Sequence, residues 1–277
     1  MLKEILFDTG FGAINVAEGP ANGPTLLLLH GFTNRWQAFM PFIDQWIERY
    51  HLVAFDHSGH GKSFWRTEGY SANAFFEDAR AVFNAFCGDK AFLVGHSMGG
   101  SMGLYLATAF PDKCLGVVTG DTSAHLVRHI EIMNNRRNTK LFSIRRRMAE
   151  MSLDQMLRKG IDPLTAEELD QLDPRVMDRH AAGEVEAFFA DTPELSLDEI
   201  HCPLLLTQAN PAKGGILQDD EISEALLSNP GIRFQRFDLG HDLAMSLGSE
   251  SPFFQAADHF LEDVRAGRFP AGRHADQ

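Results

Sequence analysis

The stretch Ala91-Phe92-Leu93-Val94-Gly95-His96-Ser97-Met98-Gly99-Gly100 decides how this chain is read. Four apolar residues with strand character end in Gly-x-Ser-x-Gly and pass directly into small and apolar residues at helical spacing, Gly100, Ser101, Gly103, Leu104 and Ala107. A strand that turns this sharply into a helix leaves no room for side chains two residues before and two after the serine, hence Gly95 and Gly99. The turn pushes Ser97 outward on a strained backbone with its hydroxyl exposed. A bare Gly-x-Ser-x-Gly is weak, since glycine and serine gather in any surface turn. The strand before it and the helix after it turn the motif into a nucleophile elbow.

Working outward, the chain alternates strands and helices. Ile5 to Phe7 and Ile14 to Ala17 read as a hairpin around Thr9-Gly10-Phe11-Gly12. Thr25 to Leu29 is an unbroken apolar run of the kind buried on both faces in a parallel sheet. His30-Gly31-Phe32 follows at its end, then a helical pattern over Trp36 to Arg49 and a strand at Leu52 to Phe55. After Asp56-His57-Ser58-Gly59-His60-Gly61-Lys62-Ser63 come an amphipathic helix over Ser71 to Phe86, the elbow strand, its helix to about Phe110, and a strand at Gly116 to Thr119. This alternation implies crossover units, and so an α/β fold with a mainly parallel sheet covered by helices on both faces.

Between about residues 125 and 200 the pattern changes. No strand-like run interrupts a series of helical segments rich in Met and Arg: Leu126 to Asn134, Phe142 to Met151, Asp154 to Lys159 and Pro174 to Phe189. We therefore expect a core made of residues 1–124 and 201–277 and a helical insertion over the sheet at 125–200. The core resumes with a strand at Leu204 to Thr207, a helix from about Asp220 to Leu227, a strand at Phe234 to Phe237, and the loop Asp238-Leu239-Gly240-His241-Asp242. The last helix is punctuated by Ser251 as cap, Pro252 in the first turn and Gly267 beyond its end, with a frayed tail expected from Arg268 to Gln277.

Composition narrows the function classes. A chain of 277 residues closes a core without metal or disulfide support, and its three cysteines, Cys87, Cys114 and Cys202, stand at unrelated spacings. They read as small buried hydrophobes, with no metal site or cofactor implied. The formal net charge of -13 argues against a nucleic-acid partner, which calls for a basic surface. No apolar run reaches the length of a membrane span and no export signal is visible at Met1 to Asp8, so the expectation is a cytoplasmic protein with no membrane partner.

These features together resemble the α/β-hydrolase superfamily, in its serine-hydrolase form with a helical cap. The likeness runs over nearly the whole chain through His30-Gly31-Phe32, the Asp56 to Ser63 segment, the elbow and the late Gly240-His241. It implies an eight-stranded sheet and the chain order nucleophile, acid, histidine. Ser97 at its free pKa is a poor nucleophile and needs an imidazole in hydrogen-bond reach. Of twelve histidines, only His241 stands in the loop after the last strand where the family's base belongs. The amides of Met98, first residue of the elbow helix, and of Phe32 are the oxyanion-hole donors that the resemblance implies. His30 is read as a brace for that loop, His96 as packing or bonding locally, and His57 and His60 as parts of a turn. Phe32, Met98 and Trp36 are candidates to line the acyl pocket, with plain core as the alternative for Trp36.

The acid is where the sequence departs from the pattern. After the strand Leu204 to Thr207 the family usually carries an aspartate, and here the run is Gln208-Ala209-Asn210-Pro211. An amide at Asn210 cannot offset the charge of an imidazolium. The acid read here is Asp121, at the end of the preceding strand and at a place used by some family members, with Asp219 or Asp220 in the longer loop, or no ionised partner at all, as the alternatives. Asp121-Thr122-Ser123 would also make a good helix cap. Ser58 stands where an arginine is common, which removes a possible ion pair. The insertion carries Arg128, Arg136, Arg137, Lys140, Arg145, Arg146, Arg147, Arg158 and Lys159. They are read as a solvated face, with a reach toward a substrate carboxylate as the sharper alternative.

The expected function is a cofactor-free serine hydrolase that cleaves a small carboxylic ester through an acyl-enzyme. A serine at the elbow speaks against alkyl halide and epoxide chemistry, where the family attacks with aspartate. Carbon–carbon bond hydrolysis of a diketone-like acid and lactone hydrolysis remain alternatives within enzymes. A non-catalytic ligand-binding member of the fold is the alternative of another class.

Overall fold

The computed structural model describes residues 2–269 except 124, 193, 194 and 230. Eight strands form one sheet, β1 (Lys3–Asp8), β2 (Ala13–Glu18), β3 (Thr25–Leu29), β4 (His51–Phe55), β5 (Ala91–His96), β6 (Cys114–Gly120), β7 (Leu204–Gln208) and β8 (Ile232–Arg236), in the order β1-β2-β4-β3-β5-β6-β7-β8. The β1–β2 and β2–β4 pairs are antiparallel and every later pair is parallel. The eight-stranded, mainly parallel α/β sheet expected from the sequence is thus what the chain forms.

The central strands explain their own composition. Because side chains alternate across a strand, Leu27 and Leu29 enter one core cluster while Leu26 and Leu28 enter the other, and all four are fully buried. Phe92 and Val94 of β5 join the second cluster, and Ala91 and Leu93 the first. Helices α1 (Met40–Trp46), α2 (Ala72–Phe86) and α3 (Met98–Ala109) follow β3, β4 and β5, and α10 (Asp219–Ser228) and α11 (Pro252–Arg265) complete the core. Ser251 caps α11 through the Phe254 amide, with Pro252 in the first turn.

Between β6 and β7 the described residues form the helices α4 (Leu126–Met133), α5 (Arg136–Ala149), α6 (Leu153–Arg158), α7 (Pro163–Asp170), α8 (Asp178–Ala182) and α9 (Val185–Phe189), with short 3-10 turns. Several boundaries differ from the sequence reading. Pro174 to Phe189 is not one helix, because Gly183 at φ 74° ends α8 in a left-handed residue. Trp36 to Arg49 is likewise divided, a 3-10 turn over Trp36–Phe39 giving way to α1, which takes Pro41 into its first turn. The last strand begins at Ile232 rather than Phe234 and ends before Phe237. Helix α7 lies within the expected helical insertion but outside the segments singled out from the sequence. Of the expected tail, residues 270–277 lie outside the described residues, while Arg268 Nε donates to Asp263 Oδ1 at 3.0 Å and Phe269 packs on Phe260 at 5.2 Å.

Ser58, at the place of a common family arginine, does not leave an ion pair missing. Its hydroxyl donates to Asp78 Oδ2 at 2.6 Å, and Arg66 arrives from eight residues on to bond both Ser58 Oγ at 2.7 Å and Asp78 Oδ1 at 2.6 Å. Asp56 Oδ1 accepts from the Trp36 amide at 2.8 Å, so the carboxylate ties the end of the loop after β3 to the end of β4.

Candidate active site

Strand order places the chemistry. Strands β3, β5 and β6 are neighbours, so the loops at their carboxyl ends emerge side by side, about 4.8 Å apart per strand. These loops carry Phe32, Ser97 and Asp121.

Ser97 sits at φ 54°, ψ −123°, a region L-residues rarely occupy. A Cβ at Gly95 would lie 2.2 Å from Gly99 O, and one at Gly99 would lie 1.9 Å from Leu29 O, so both positions are closed to any side chain. The turn is tied to β6 from both sides. The Ser97 amide donates to Gly120 O at 2.8 Å, and Thr122 Oγ1 donates to Ser97 O at 2.9 Å.

His241 comes from beyond β8, two strands away from β6. Leu243, fully buried, and Ala244, both at φ 51°, turn the loop back over the sheet. His96 Nε2 meets the His241 carbonyl at 2.7 Å, and the two rings lie 4.9 Å apart. His96 was expected to bond locally. Instead it clamps a loop 145 residues downstream, and burial, followed by the nearness of His241, pushes its pKa down to about 4, so it acts as a neutral donor.

The outcome is a continuous chain: Ser97 Oγ to His241 Nε2 at 3.0 Å, and His241 Nδ1 to Asp121 Oδ2 at 2.6 Å. With the proton on Nδ1 donated to the carboxylate, Nε2 is left to accept from the serine hydroxyl. Asp121 is fully buried at φ 45° and is held by three main-chain amides: Ala209 at 3.1 Å and Leu217 at 3.3 Å to Oδ1, and Ile216 at 2.9 Å to Oδ2. A buried carboxylate is stable only when its lone pairs are occupied in this way.

The other acid candidates point elsewhere. Asn210 caps a 3-10 turn, its Oδ1 accepting from the Ala212 amide at 2.8 Å and its Nδ2 donating to Asp238 Oδ1 at 2.7 Å. Asp219 accepts from Gln208 and pairs with Arg236, and Asp220 pairs with Arg128 at 2.7 Å. Asp121 does not cap a helix, since α4 starts at Leu126 with His125 before it. The loop after β7 therefore contributes amides to Asp121 rather than an acid to His241. Asn210→Asp is accordingly expected to leave turnover at this site within about twofold, the size of an ordinary surface substitution. A tenfold gain in a side-by-side assay would instead make that position the operative acid.

The Met98 amide opens α3 and has no partner within the helix, and the Phe32 amide follows His30-Gly31. Among the described residues neither N–H donates a hydrogen bond. His30 Nδ1 donates to Gly31 O at 2.8 Å and its Nε2 accepts from the His57 amide at 3.0 Å, which braces the loop from below. Trp36 does not line the site: it is buried in the core, with its indole N–H on Glu4 Oε1 at 2.8 Å.

The inserted helices approach the same loop. The Phe32 ring lies 4.5 Å from His180, 5.7 Å from Phe142 and 5.9 Å from Phe188. His180 is buried with Nδ1 unpartnered among the described residues, and burial, then the nearby His129, lowers its pKa to about 3. His129, on α4 against Phe189, is pushed down to about 4 by burial and then by His241. Sequence reasoning passed over His180 and His129, and read Arg145 with the other basic residues of the insertion as a solvated face, whereas its Nη1 reaches Thr33 Oγ1 at 3.0 Å. The spacing Asn138, Phe142, Arg145, Ala149, one face of α5, was the signal for Arg145. No group of three or more candidate metal-binding side chains occurs among the described residues, and no helix there is long and apolar enough to cross a membrane.

With this geometry in place, comparison with known proteins gives the class. A family profile described as alpha/beta hydrolase fold matches residues 24–203, and the chain belongs to that family. It is 32% identical over 119 residues to the 2-(acetamidomethylene)succinate hydrolase of Mesorhizobium japonicum, covering 43% of this chain and 42% of that protein. It is also 32% identical over 108 residues to epoxide hydrolase B of Mycobacterium tuberculosis, covering 37% of this chain and 30% of that protein. The similarity thus spans less than half the length of these curated relatives. The solved structure of an E-2-(acetamidomethylene)succinate hydrolase superposes with a TM-score of 0.68 at 19% identity, over 95% of this chain and 100% of that one. The enol-lactonase of Burkholderia xenovorans LB400 gives 0.66 at 17%, over 91% and 97%.

Proposed function

We propose that this chain is a serine hydrolase acting on a small carboxylic ester through an acyl-enzyme, with residues 125–200 as its cap. The observation that carries the proposal is the unbroken Ser97–His241–Asp121 chain at 3.0 and 2.6 Å beside the two free amides. His241 Nε2 takes the Ser97 proton as Oγ bonds to the acyl carbon, and the Phe32 and Met98 amides receive the oxyanion. The tetrahedral species collapses with the proton passed from His241 to the departing alkoxide. Water, deprotonated by the same nitrogen, then attacks the acyl carbon and releases the acid and the free Ser97 hydroxyl. Asp121 keeps the proton on Nδ1 and stabilises the imidazolium formed in each half-reaction.

A serine nucleophile forms an acyl-enzyme, not the alkyl-enzyme ester of aspartate-dependent epoxide opening, so the likeness to an epoxide hydrolase does not extend to that chemistry. Names among the relatives bring lactones and acylated enamines into the substrate panel beside esters. The test is fluorophosphonate labelling followed by peptide mass analysis. One adduct on Ser97, lost in Ser97→Ala and suppressed by turned-over ester, is the expected result. No Ser97-dependent labelling would point to the non-catalytic ligand-binding reading.

A further inference from the structure

The loop that would supply the second oxyanion donor is held by the inserted helices as well as by the core beneath it. Thr33, next to Phe32, is buried at φ 71°, a left-handed conformation that a β-branched residue adopts only with outside support. Its Oγ1 accepts from Arg145 Nη1 of α5 at 3.0 Å. Asn34 Nδ2 donates to Glu168 Oε1 of α7 at 2.9 Å, and Arg35 reaches Gln171 Oε1 at 3.1 Å and Glu167 Oε2 at 2.6 Å. The Phe32 ring is covered by Phe142 and His180 from the same insertion. The side chains from Phe32 to Arg35 are therefore contacted from above, while below the loop meets the core through His30 on the His57 amide, Phe32 against Phe75, and the Trp36 amide on Asp56. Arg146 on α5 is paired with Asp178 and Glu150, whereas Arg145 makes no ion pair among the described residues and gives a guanidinium N–H to Thr33, with its charge acting on Glu168 close by.

We infer that Arg145 is a positioning residue: by holding Thr33 in its left-handed turn it aims the Phe32 amide at the oxyanion, so that the insertion tunes the catalytic step as well as covering the site. This rests on the serine-hydrolase reading for its catalytic consequence, but not for the latch itself. Loss of an oxyanion donor typically costs about 10²–10³ in kcat, and a donor left in place but loosened should cost less, roughly 10- to 100-fold.

The test compares the wild-type chain with Arg145→Met, Arg145→Lys, Thr33→Val and the Arg145→Met/Thr33→Val pair. For a short nitrophenyl ester, Arg145→Met is expected to lower kcat by roughly 10- to 100-fold with KM within about threefold, and Arg145→Lys to recover most of the loss. Thr33→Val, which keeps the branching and removes the acceptor, should match Arg145→Met, and the pair should be no worse than either alone. The corresponding thionoester, whose sulfur is a poor acceptor for amide donors, should lose much less. Amide hydrogen exchange over residues 31–36 should quicken in Arg145→Met while that around Ser97 does not. Unchanged kcat, equal losses on ester and thionoester, or unchanged exchange would each overturn the assignment. A wild-type chain that turns over no ester would count against the hydrolase reading, and the exchange comparison would then decide the latch alone.

Discussion

Asp121→Asn is expected to lower kcat for a short ester by about 10⁴ while leaving the fold intact, by analogy with loss of the acid from a serine-protease triad. The reason lies in what the Asp121 carboxylate accepts. Oδ1 takes two amides, and Oδ2 takes the Ile216 amide and His241 Nδ1. An asparagine must keep its oxygen on one set of donors and turn its NH₂ toward the other. Oxygen on the two-amide side leaves the NH₂ facing both the Ile216 N–H and the His241 Nδ1. That imidazole can accept from it only by moving its proton to Nε2, and a protonated Nε2 cannot take the proton of Ser97. The measurement is kcat alongside the thermal midpoint, so that lost chemistry is separated from lost fold. Near-normal turnover in Asp121→Asn, with Asp219→Asn or Asp220→Asn inactive, would transfer the role to the loop after β7.

That contrast shows which parts of the site were legible in the sequence. Ser97 was, because the elbow is a local steric problem: the clash of a Cβ at Gly95 with Gly99 O belongs to a turn whose whole signature lies within ten residues. His241 was, through its place after the last strand. Asp121 was legible only as one of several acids, because its selection depends on Ala209, Ile216 and Leu217, residues 88 to 96 positions away that donate by their backbones and leave no mark in residue type. For the same reason Asn210 looked like a defect when it is an ordinary turn cap. His96 was misjudged because its partner is the His241 carbonyl, and Arg66 was missed as the partner of Asp78 since nothing in the spacing says which arginine folds back. In the insertion, the periodicity located helices but not the break at Gly183, nor which face of α5 turns inward.

Acidification should unfold this protein well before its carboxylates are titrated. His30, His57 and His60 lie together under the loop after β3, at most 1% exposed, with ring centroids 4.9 to 6.5 Å apart. Neither ring nitrogen of His57, nor Nε2 of His60, has a partner among the described residues. Burial, then the neighbouring imidazoles, then Arg66, holds His57 well below its usual range, and burial and His30 take His60 down to about 3. Burial also lowers His30, although Asp56 opposes the shift, and His96 stands at about 4. In each case the folded pKa lies below the unfolded value of about 6.5, so beneath that value the unfolded chain binds protons the native state refuses. Stability is therefore full above about pH 6.5 and falls as pH drops from there toward the folded pKa values, by up to about 1.4 kcal/mol per pH unit for each histidine. Even at half that slope, allowing for water entry, His57, His60 and His96 together remove about 4 kcal/mol between pH 6.5 and 4.5, close to the whole stability of a marginal domain. Urea midpoints measured at pH 7, 6 and 5 should decline steeply, and His57→Phe should flatten the decline by nearly one proton, since the His57 amide keeps its bond to His30 Nε2. Midpoints that stay level from pH 7 to 5 would mean that these rings take up protons without leaving the fold.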